Sequence, residues 1–371
     1  MKSAMILAVA ATPVVFAAPL NEALAERQAM VDEINSTPGI TWTAAMDTRF
    51  ADQPIGASAS LIGARAPNAD ELANMDDVDV VLYNEEVDKL IGEPPSDFDA
   101  RKGFPECAKV IGDIRDQSNC GCCWAFGTAE AASDRLCIAS KGKTMVPLSS
   151  EDLCFNSNFN GCGGGSPESA WSYIERRGIV SGKQQKFTGS GTDPDPFAGT
   201  TTCSDFSLPH CHHHGPVGQD PFPAEGAPGC PSEKSPKGPK KCDEGSSLKY
   251  ASDKYSFKGR VANVGRNETY LKQEIMANGP VTVAFTVYSD FENYASGVYK
   301  HTTGKSLGGH AVKMLGWGTD AGTDYWLIAN SWNPYWGEKG YFRIAAGKGD
   351  CGIAASAVAA SGDAKWSTPA L

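Results

Sequence analysis

Gln117-Ser118-Asn119-Cys120-Gly121-Cys122-Cys123-Trp124-Ala125-Phe126 joins a turn rich in cysteine and glycine to the start of a helix. From Cys123 to Ser140 the chain is rich in alanine, has no proline, and carries apolar residues at Trp124, Ala125, Ala129, Ala132 and Leu136. That pattern predicts a long buried helix with Cys123 at its N-terminus. A helix start carries partial positive charge and a thiol attacks as its thiolate, so this is a favourable place for a reactive cysteine.

Working outward, Ser149-Ser150-Glu151-Asp152 reads as a capped helix start, and Pro167 to Arg177, closed by Gly178, as another helix. Between about Gly182 and Ser247 the composition turns to Gly, Pro, Ser and Lys with four cysteines and four histidines, too polar for a core layer and expected as a long stapled loop. Apolar runs then follow at Pro280 to Val287, His310 to Trp317, Tyr325 to Ala329 and Gly340 to Ile344, separated by glycine-rich turns; these are strands of a mainly antiparallel lobe. The fold class expected is α+β: a helical lobe, a sheet-rich lobe, and a cleft between them.

On the other side, Met1-Lys2-Ser3 and the apolar run Ala4 to Ala18 form a signal-peptide pattern, placed at 1–18. From about Asn21 to Gly92 there is no cysteine and the charge is mostly acidic; Pro94-Pro95 looks like a linker, so 19–93 reads as a pro-segment and 94–371 as the working domain. The 371 residues carry 33 Lys and Arg against 44 Asp and Glu, a net charge of −11, which disfavours nucleic acid as a partner. No run is long enough for a membrane anchor. Twelve cysteines in an exported chain imply an oxidising compartment. Two sequons, at Asn35 and Asn267, are possible glycosylation sites, with Asn267 preferred.

The quoted stretch resembles the active-site signature of the papain family, C-G-[SA]-C-[WY], except that Cys122 stands where Ser or Ala is usual. Gly308-Gly309-His310-Ala311-Val312 is similar to the family's histidine motif, and Asn330-Ser331-Trp332, ahead of Trp336-Gly337 and Gly340-Tyr341, to its asparagine motif. The resemblance implies Cys123 as nucleophile, His310 as its base, Asn330 holding the imidazole and Trp332 shielding that bond from water. Gln117 would donate to the oxyanion together with the Cys123 N–H. Gly164 and Gly165, in Cys162-Gly163-Gly164-Gly165, would pair with a substrate backbone beside Gly309, with Gly163 replacing the usual Asn. The separation of Cys123 from His310 exceeds the roughly 130–150 residues usual for the family, and the stapled loop accounts for the excess.

Within the family the likeness is to cathepsin B. Cys211-His212-His213-His214 is similar to its occluding loop, here placed at 203–242. His213 and His214 would bind a peptide's C-terminal carboxylate, Asp116 would hold the loop down, and His212 replaces a family Glu. Phe98-Asp99-Ala100-Arg101, Tyr288-Ser289-Asp290-Phe291 and Thr41-Trp42 extend the resemblance over the mature start, the sheet and the pro-region. It implies disulfides Cys107 to Cys137, Cys120 to Cys162, Cys203 to Cys242 and Cys211 to Cys230, leaving Cys122, Cys123, Cys154 and Cys351. Ser356 stands where cathepsin B has a specificity-pocket Glu.

The implied function is a lysosomal or secreted cysteine endopeptidase and peptidyl-dipeptidase that acts on peptides and proteins, is inhibited by its own pro-segment and by cystatin-like proteins, and needs no cofactor or metal. A zinc site of Cys and His is disfavoured because the cysteines are expected to be oxidised. Two other classes compete. The C-x-x-C spacing of Cys120 to Cys123 suggests a thiol–disulfide oxidoreductase, which leaves His310, Asn330 and Gln117 without a role. A peptidase-like binding protein without turnover has only Cys122 in its favour. Cys122 is separately expected to form an oxidation product with Cys123, which would make the enzyme unusually dependent on reductant.

Overall fold

The structure, a computed structural model, describes residues 17–46, 49–51, 53–65, 92–157, 160–184, 195–210, 233–265, 267–347 and 351–369. Cys211, His212, His213, His214 and Cys230 lie outside the described residues. The alanine-rich stretch forms helix α2 (Cys123–Ala139), preceded in the chain by α1 (Ala17–Ser36). Ser149 caps α3 (Ser150–Asn156) by accepting the Asp152 N–H at 3.0 Å, and Ser166 caps α4 (Pro167–Arg177), whose first residue is the proline. Asn267 caps α5 (Glu268–Asn278).

The strands are β1 (Trp42–Ala44), β2 (Phe98–Asp99), β3 (Ser256–Lys258), β4 (Val261–Asn263), β5 (Val281–Tyr288), β6 (Tyr294–Tyr299), β7 (Ser306–Asp320), β8 (Thr323–Ala329), β9 (Tyr341–Ala345), β10 (Val358–Ala360) and β11 (Lys365–Ser367). One sheet runs in the order β1-β6-β9-β8-β7-β5-β10-β4, with β2 also on β7, and only β6 and β9 pair in parallel. β11 and β3 form a separate pair. The described parts of the long loop, residues 182–184, 195–210 and 233–247, contain no helix or strand and are stapled by Cys203–Cys242.

Helix α2 is buried on every side along most of its length, so it lies between the lobes. Gly127 makes its approach to β7 possible: a Cβ there would sit 3.1 Å from the Val312 backbone. Lys313 of β7 reaches across the same contact to Asp134 at 2.9 Å and toward Glu130 at 4.0 Å, and donates to the Ile111 carbonyl at 3.0 Å. Burial raises the Glu130 carboxyl to about 8 and that of Asp134 to about 6, against the pull of Lys313.

Cysteine pairing differs from the expectation at one point. Cys107–Cys137 and Cys120–Cys162 are bonded as the resemblance implies, and Cys122 is bonded to Cys154 as a fourth bridge. Cys122 is therefore not free to oxidise with Cys123, because α3 presents Cys154 to it with the Cα atoms 6.2 Å apart. The four bridges close sequence separations of 30, 42, 32 and 39 residues. Each restricts the unfolded chain by about 3–4 kcal/mol in the chain-entropy account. Cys123 is a free thiol and buried.

Residues before the Pro94-Pro95 linker add α1 and β1 to the body. Arg27 of α1 is fully buried against Glu292 at 3.0 Å and Asn293 at 2.8 Å. Asn35 is committed to the Ala44 backbone through both amide atoms, which ties α1 to β1. β1 pairs antiparallel with β6, and Trp42 packs against Tyr294 and Tyr299. Gly297 (φ 91°) allows this close approach, since a Cβ would lie 2.6 Å from the Thr41 carbonyl.

Breaking the cross-lobe ion pair is expected to cost more than deleting it. Lys313→Met leaves a buried carboxylate unpaired and should destabilise by about 3–5 kcal/mol, whereas Lys313→Met with Asp134→Leu should recover much of that. Thermal unfolding of both variants checks this; equal midpoints for the single variant and the parent chain would contradict it.

Candidate active site

Four elements converge on one buried point. The turn into α2 and the first residue of that helix supply Gln117 and Cys123, β7 supplies His310, the residue after β8 supplies Asn330, and a stretch at residues 61–65 lies against them. Cys123 is the first residue of α2, where N–H groups have no intrahelical acceptor. His310 Nε2 meets Asn330 Oδ1 at 2.8 Å, and Nδ1 has no hydrogen-bond partner among the described residues. The Asn330 N–H is itself fixed on the Gly340 carbonyl at 2.9 Å. The Trp332 ring lies 4.9 Å from the imidazole and is fully buried, which keeps water from the His310–Asn330 bond.

Gln117 is oriented by a residue that the sequence reading quoted without a role. Ser331 donates its hydroxyl to Gln117 Oε1 at 2.6 Å, and the Gln117 N–H is bonded to the Ser331 carbonyl at 2.9 Å. Gln117 Nε2 then points at two carbonyls, Cys120 at 2.7 Å and Leu61 at 2.9 Å. The second belongs to the segment before the linker, so a peptide carbonyl already occupies this donor.

The same segment pairs with both walls of the cleft. Gly165 donates to the Gly63 carbonyl at 2.8 Å and accepts from Arg65 at 3.3 Å, while Ala64 donates to the Gly309 carbonyl at 3.0 Å. Gly63 directs its N–H at Cys123 Sγ, 3.4 Å away. Glycines are required here by space: a Cβ on Gly165 would enter the Trp124 ring at 2.5 Å, and one on Gly164 (φ 108°) would lie 2.6 Å from the Gly63 carbonyl.

Arg49, fully buried, faces Asp116 at 3.5 Å and donates to the Ser118 carbonyl at 2.7 Å. Asp116 also accepts from Ser118 at 2.7 Å and from Asn333 at 3.3 Å. Phe50 packs edge-on to Trp332 at 5.3 Å. Sequence reasoning placed nothing at Arg49, Phe50, Leu61, Gly63 or Ala64: Leu61 and Ala64 bind the cleft through backbone, which needs no particular side chain, and Gly63 is required only because a Cβ there would collide with the Gly121 carbonyl across the contact. The outlying signal was Arg49-Phe50, a cation and an aromatic in a segment otherwise mostly acidic.

The electrostatics differ from those expected of a bare helix start. Burial pushes the Cys123 thiol up, although backbone N–H groups at Ala311, Gly63, Trp124 and Ala64 favour its thiolate. Burial also depresses His310 to about 4, opposed by Asn330 and reinforced by the positive charge of Arg49. With residues 49–65 in place, the pair is held as neutral thiol and neutral imidazole.

Ser356 is buried and its hydroxyl is spent on the Ala284 N–H at 2.7 Å, the Ala284 carbonyl at 2.6 Å and the Ile353 carbonyl at 2.9 Å. The C-x-x-C spacing does not operate as a pair, because Cys120 is bonded to Cys162. Asn267 is exposed, with its Oδ1 taken by the Thr269 and Tyr270 N–H groups.

Comparisons with known proteins give the family and the fold. Residues 94–361 match the family described as papain family cysteine protease. A "Cathepsin B-like cysteine proteinase" of Schistosoma japonicum is 41% identical over 89% of each chain. "Cathepsin B-like cysteine proteinase 5" of Caenorhabditis elegans is 42% identical over 96% of each. Among solved structures, "proCathepsin B S9 from Trypanosoma congolense" superposes with a TM-score of 0.64 at 28% identity, covering 93% of this chain and 98% of that one. A digestive procathepsin L 3 of Tenebrio molitor, 21% identical with a TM-score of 0.57, shares the fold over 98% of this chain and 95% of its own. By sequence and architecture, the chain belongs to the papain family of cysteine proteases, among its cathepsin B-like members.

Proposed function

We propose that this cysteine peptidase is made as a zymogen, with 1–18 as signal peptide, 19–93 as pro-segment and 94–371 as the enzyme, and that Cys123, His310, Asn330 and Gln117 perform peptide-bond hydrolysis. The observation that supports this most is the peptide already in the cleft, with the Leu61 carbonyl on Gln117 and the Gly63 N–H on Cys123. Once it leaves, water and substrate reach the pair, and His310 Nδ1 takes the thiol proton while Nε2 stays on Asn330. The thiolate attacks the scissile carbonyl, forming the C–S bond, and the oxyanion is held by Gln117 Nε2 and the Cys123 N–H. His310 gives its proton to the leaving amine as the C–N bond breaks. It then deprotonates a water that hydrolyses the thioester and regenerates the thiol pair.

His213 and His214 are assigned to the carboxylate of a substrate's C-terminal residue, which gives dipeptide release beside internal cleavage. Asp116, held by Arg49 in the zymogen, becomes available to anchor their loop after processing. Gly164, Gly165 and Gly309 serve as substrate backbone partners, on the model of their bonds to residues 63–65. Asn267 fits a glycan through its exposed amide nitrogen, which supports a route through the secretory pathway to an acidic vacuole or outward. Among the described residues no helix is long and apolar enough to cross a membrane. Cystatin-like proteins are the expected external inhibitors.

Cys123→Ala should lower hydrolysis by at least a thousandfold, and Gln117→Ala should lower kcat by about a hundredfold with little change in KM. Steady-state kinetics on fluorogenic peptides decide this; an active Cys123→Ala enzyme ends the reading. Ser356, uncharged and bound to backbone, should make arginine at the second residue before the scissile bond a poorer choice than phenylalanine. Equal kcat/KM for Arg-Arg and Phe-Arg substrates would refute that.

Acid should release the pro-segment. In the opened state His310 returns toward its ordinary 6.5, so between 6.5 and about 4 the open state binds a proton that the closed state lacks. Closure therefore weakens as pH falls through that window, by about 3 kcal/mol in all, and no further below it. Processing rates should rise from pH 6.5 to 4 and then level off. Arg49→Ala removes a cation that helps depress His310, so the acid window should narrow and the gain in processing rate between pH 6.5 and 4 should shrink; an unchanged pH dependence would contradict the assignment.

A further inference from the structure

We propose that the Cys122–Cys154 disulfide is a positioning element of the oxyanion site, so that this enzyme requires a reduced Cys123 and an oxidised neighbouring pair at the same time. The inference rests on the roles given above to Cys123 and Gln117. Cys122 immediately precedes the nucleophile and is the N-cap of α2: its carbonyl accepts the N–H groups of Ala125 at 2.9 Å and Phe126 at 3.1 Å. Its own N–H donates to the Cys120 carbonyl at 2.7 Å, and that same carbonyl accepts Gln117 Nε2 at 2.7 Å. One peptide carbonyl therefore sets the place of both the Gln117 amide and the residue that leads into Cys123.

The turn carrying this carbonyl is pinned at two places. Cys120 is bonded to Cys162, where the Gly121 N–H also reaches the Cys162 carbonyl at 3.1 Å. Cys122 is bonded to Cys154 of α3, and the sulfurs of Cys120, Cys122 and Cys154 all lie within 4.8 Å of one another. The far anchor is rigid. Asp152, two residues before Cys154, accepts the Val180 N–H at 3.0 Å, the Tyr250 hydroxyl at 2.6 Å and the Lys254 ammonium at 2.9 Å. Opening the second bridge converts one disulfide and one external dithiol into two protein thiols and one external disulfide, and leaves the N-cap tethered by hydrogen bonds alone. A small shift of two oxyanion donors lowers turnover more than binding, because the donors act most strongly where charge develops.

Cys122 and Cys154 are both fully buried, so a reductant reaches Cys123 in the open cleft before it reaches them. The full-length chain, processed in acid, is titrated with dithiothreitol; kcat, KM and far-ultraviolet circular dichroism are read on one set of aliquots. Alkylation and mass mapping of Cys122 and Cys154 are read on another. The expected result is a rise in kcat at low reductant, then a fall of about tenfold as Cys122 and Cys154 become alkylated, with KM and the folded spectrum unchanged. Cys122→Ser with Cys154→Ser should begin at the lowered kcat and show the rising phase alone. A kcat that stays high after the two cysteines are labelled overturns the proposal, as does a fall that coincides with loss of the folded spectrum. Should the double variant not fold, the parent titration decides by itself. An active Cys123→Ala enzyme would remove the underlying reading; an inactive one with reductant-insensitive turnover would remove this inference alone.

Discussion

The contact on which the rest depends is helix α2 lying directly on strand β7. Cys123 stands on the helix and His310 on the strand, and the distance between them is only as well defined as that packing. Gly127 lets the two backbones approach, and Lys313 with Asp134 binds them with a charge pair that neither lobe satisfies alone. Seven residues before Glu130 on the same helix stands Cys123, and three before Lys313 on the same strand stands His310. Structural and chemical residues thus alternate along two elements, which is why Glu130, Asp134 and Lys313 are buried at the cost of desolvation.

The segment before the linker acts on this arrangement in two ways. It occupies the cleft as backbone, using Gly165 and Gly309 as a strand partner would, and it dries the site. Drying is the more consequential of the two. The ion pair that makes a thiol reactive is favourable only where water or substrate dipoles support it, and beneath residues 49–65 both partners are held neutral. The covering segment therefore acts on the pair electrostatically as well as sterically.

Much of this was legible in the sequence because it rests on short local patterns. The helix behind Cys123, the capped start at Ser149, the helix opened by Pro167 and the strand carrying His310 follow from spacing and residue type, and the roles expected of Asn330 and Gln117 from the resemblance of their motifs to the family's. What was not legible depended on backbone or on pairing at a distance. Leu61, Gly63 and Ala64 act through main-chain groups that any residue carries. Cys154 looked unpaired because its partner replaces a small residue in a familiar pattern, and only the fold places α3 against that turn. Ser331 was in plain view within Asn330-Ser331-Trp332, but its task, fixing the Gln117 amide, joins residues far apart in the chain. Asn35 looked like a glycan acceptor until its amide proved to be the tie between α1 and β1.

β1 has a consequence beyond inhibition. It forms the outermost strand on the β6 side of the large sheet, hydrogen-bonded along β6 with Trp42 set between Tyr294 and Tyr299. It covers a strand edge and the faces of Tyr294 and Tyr299, which would otherwise offer unpaired backbone and apolar surface to another chain. Without β1 the sheet would end on that side at an exposed β6. Its shortness, six residues broken by Gly297, is what makes that tolerable.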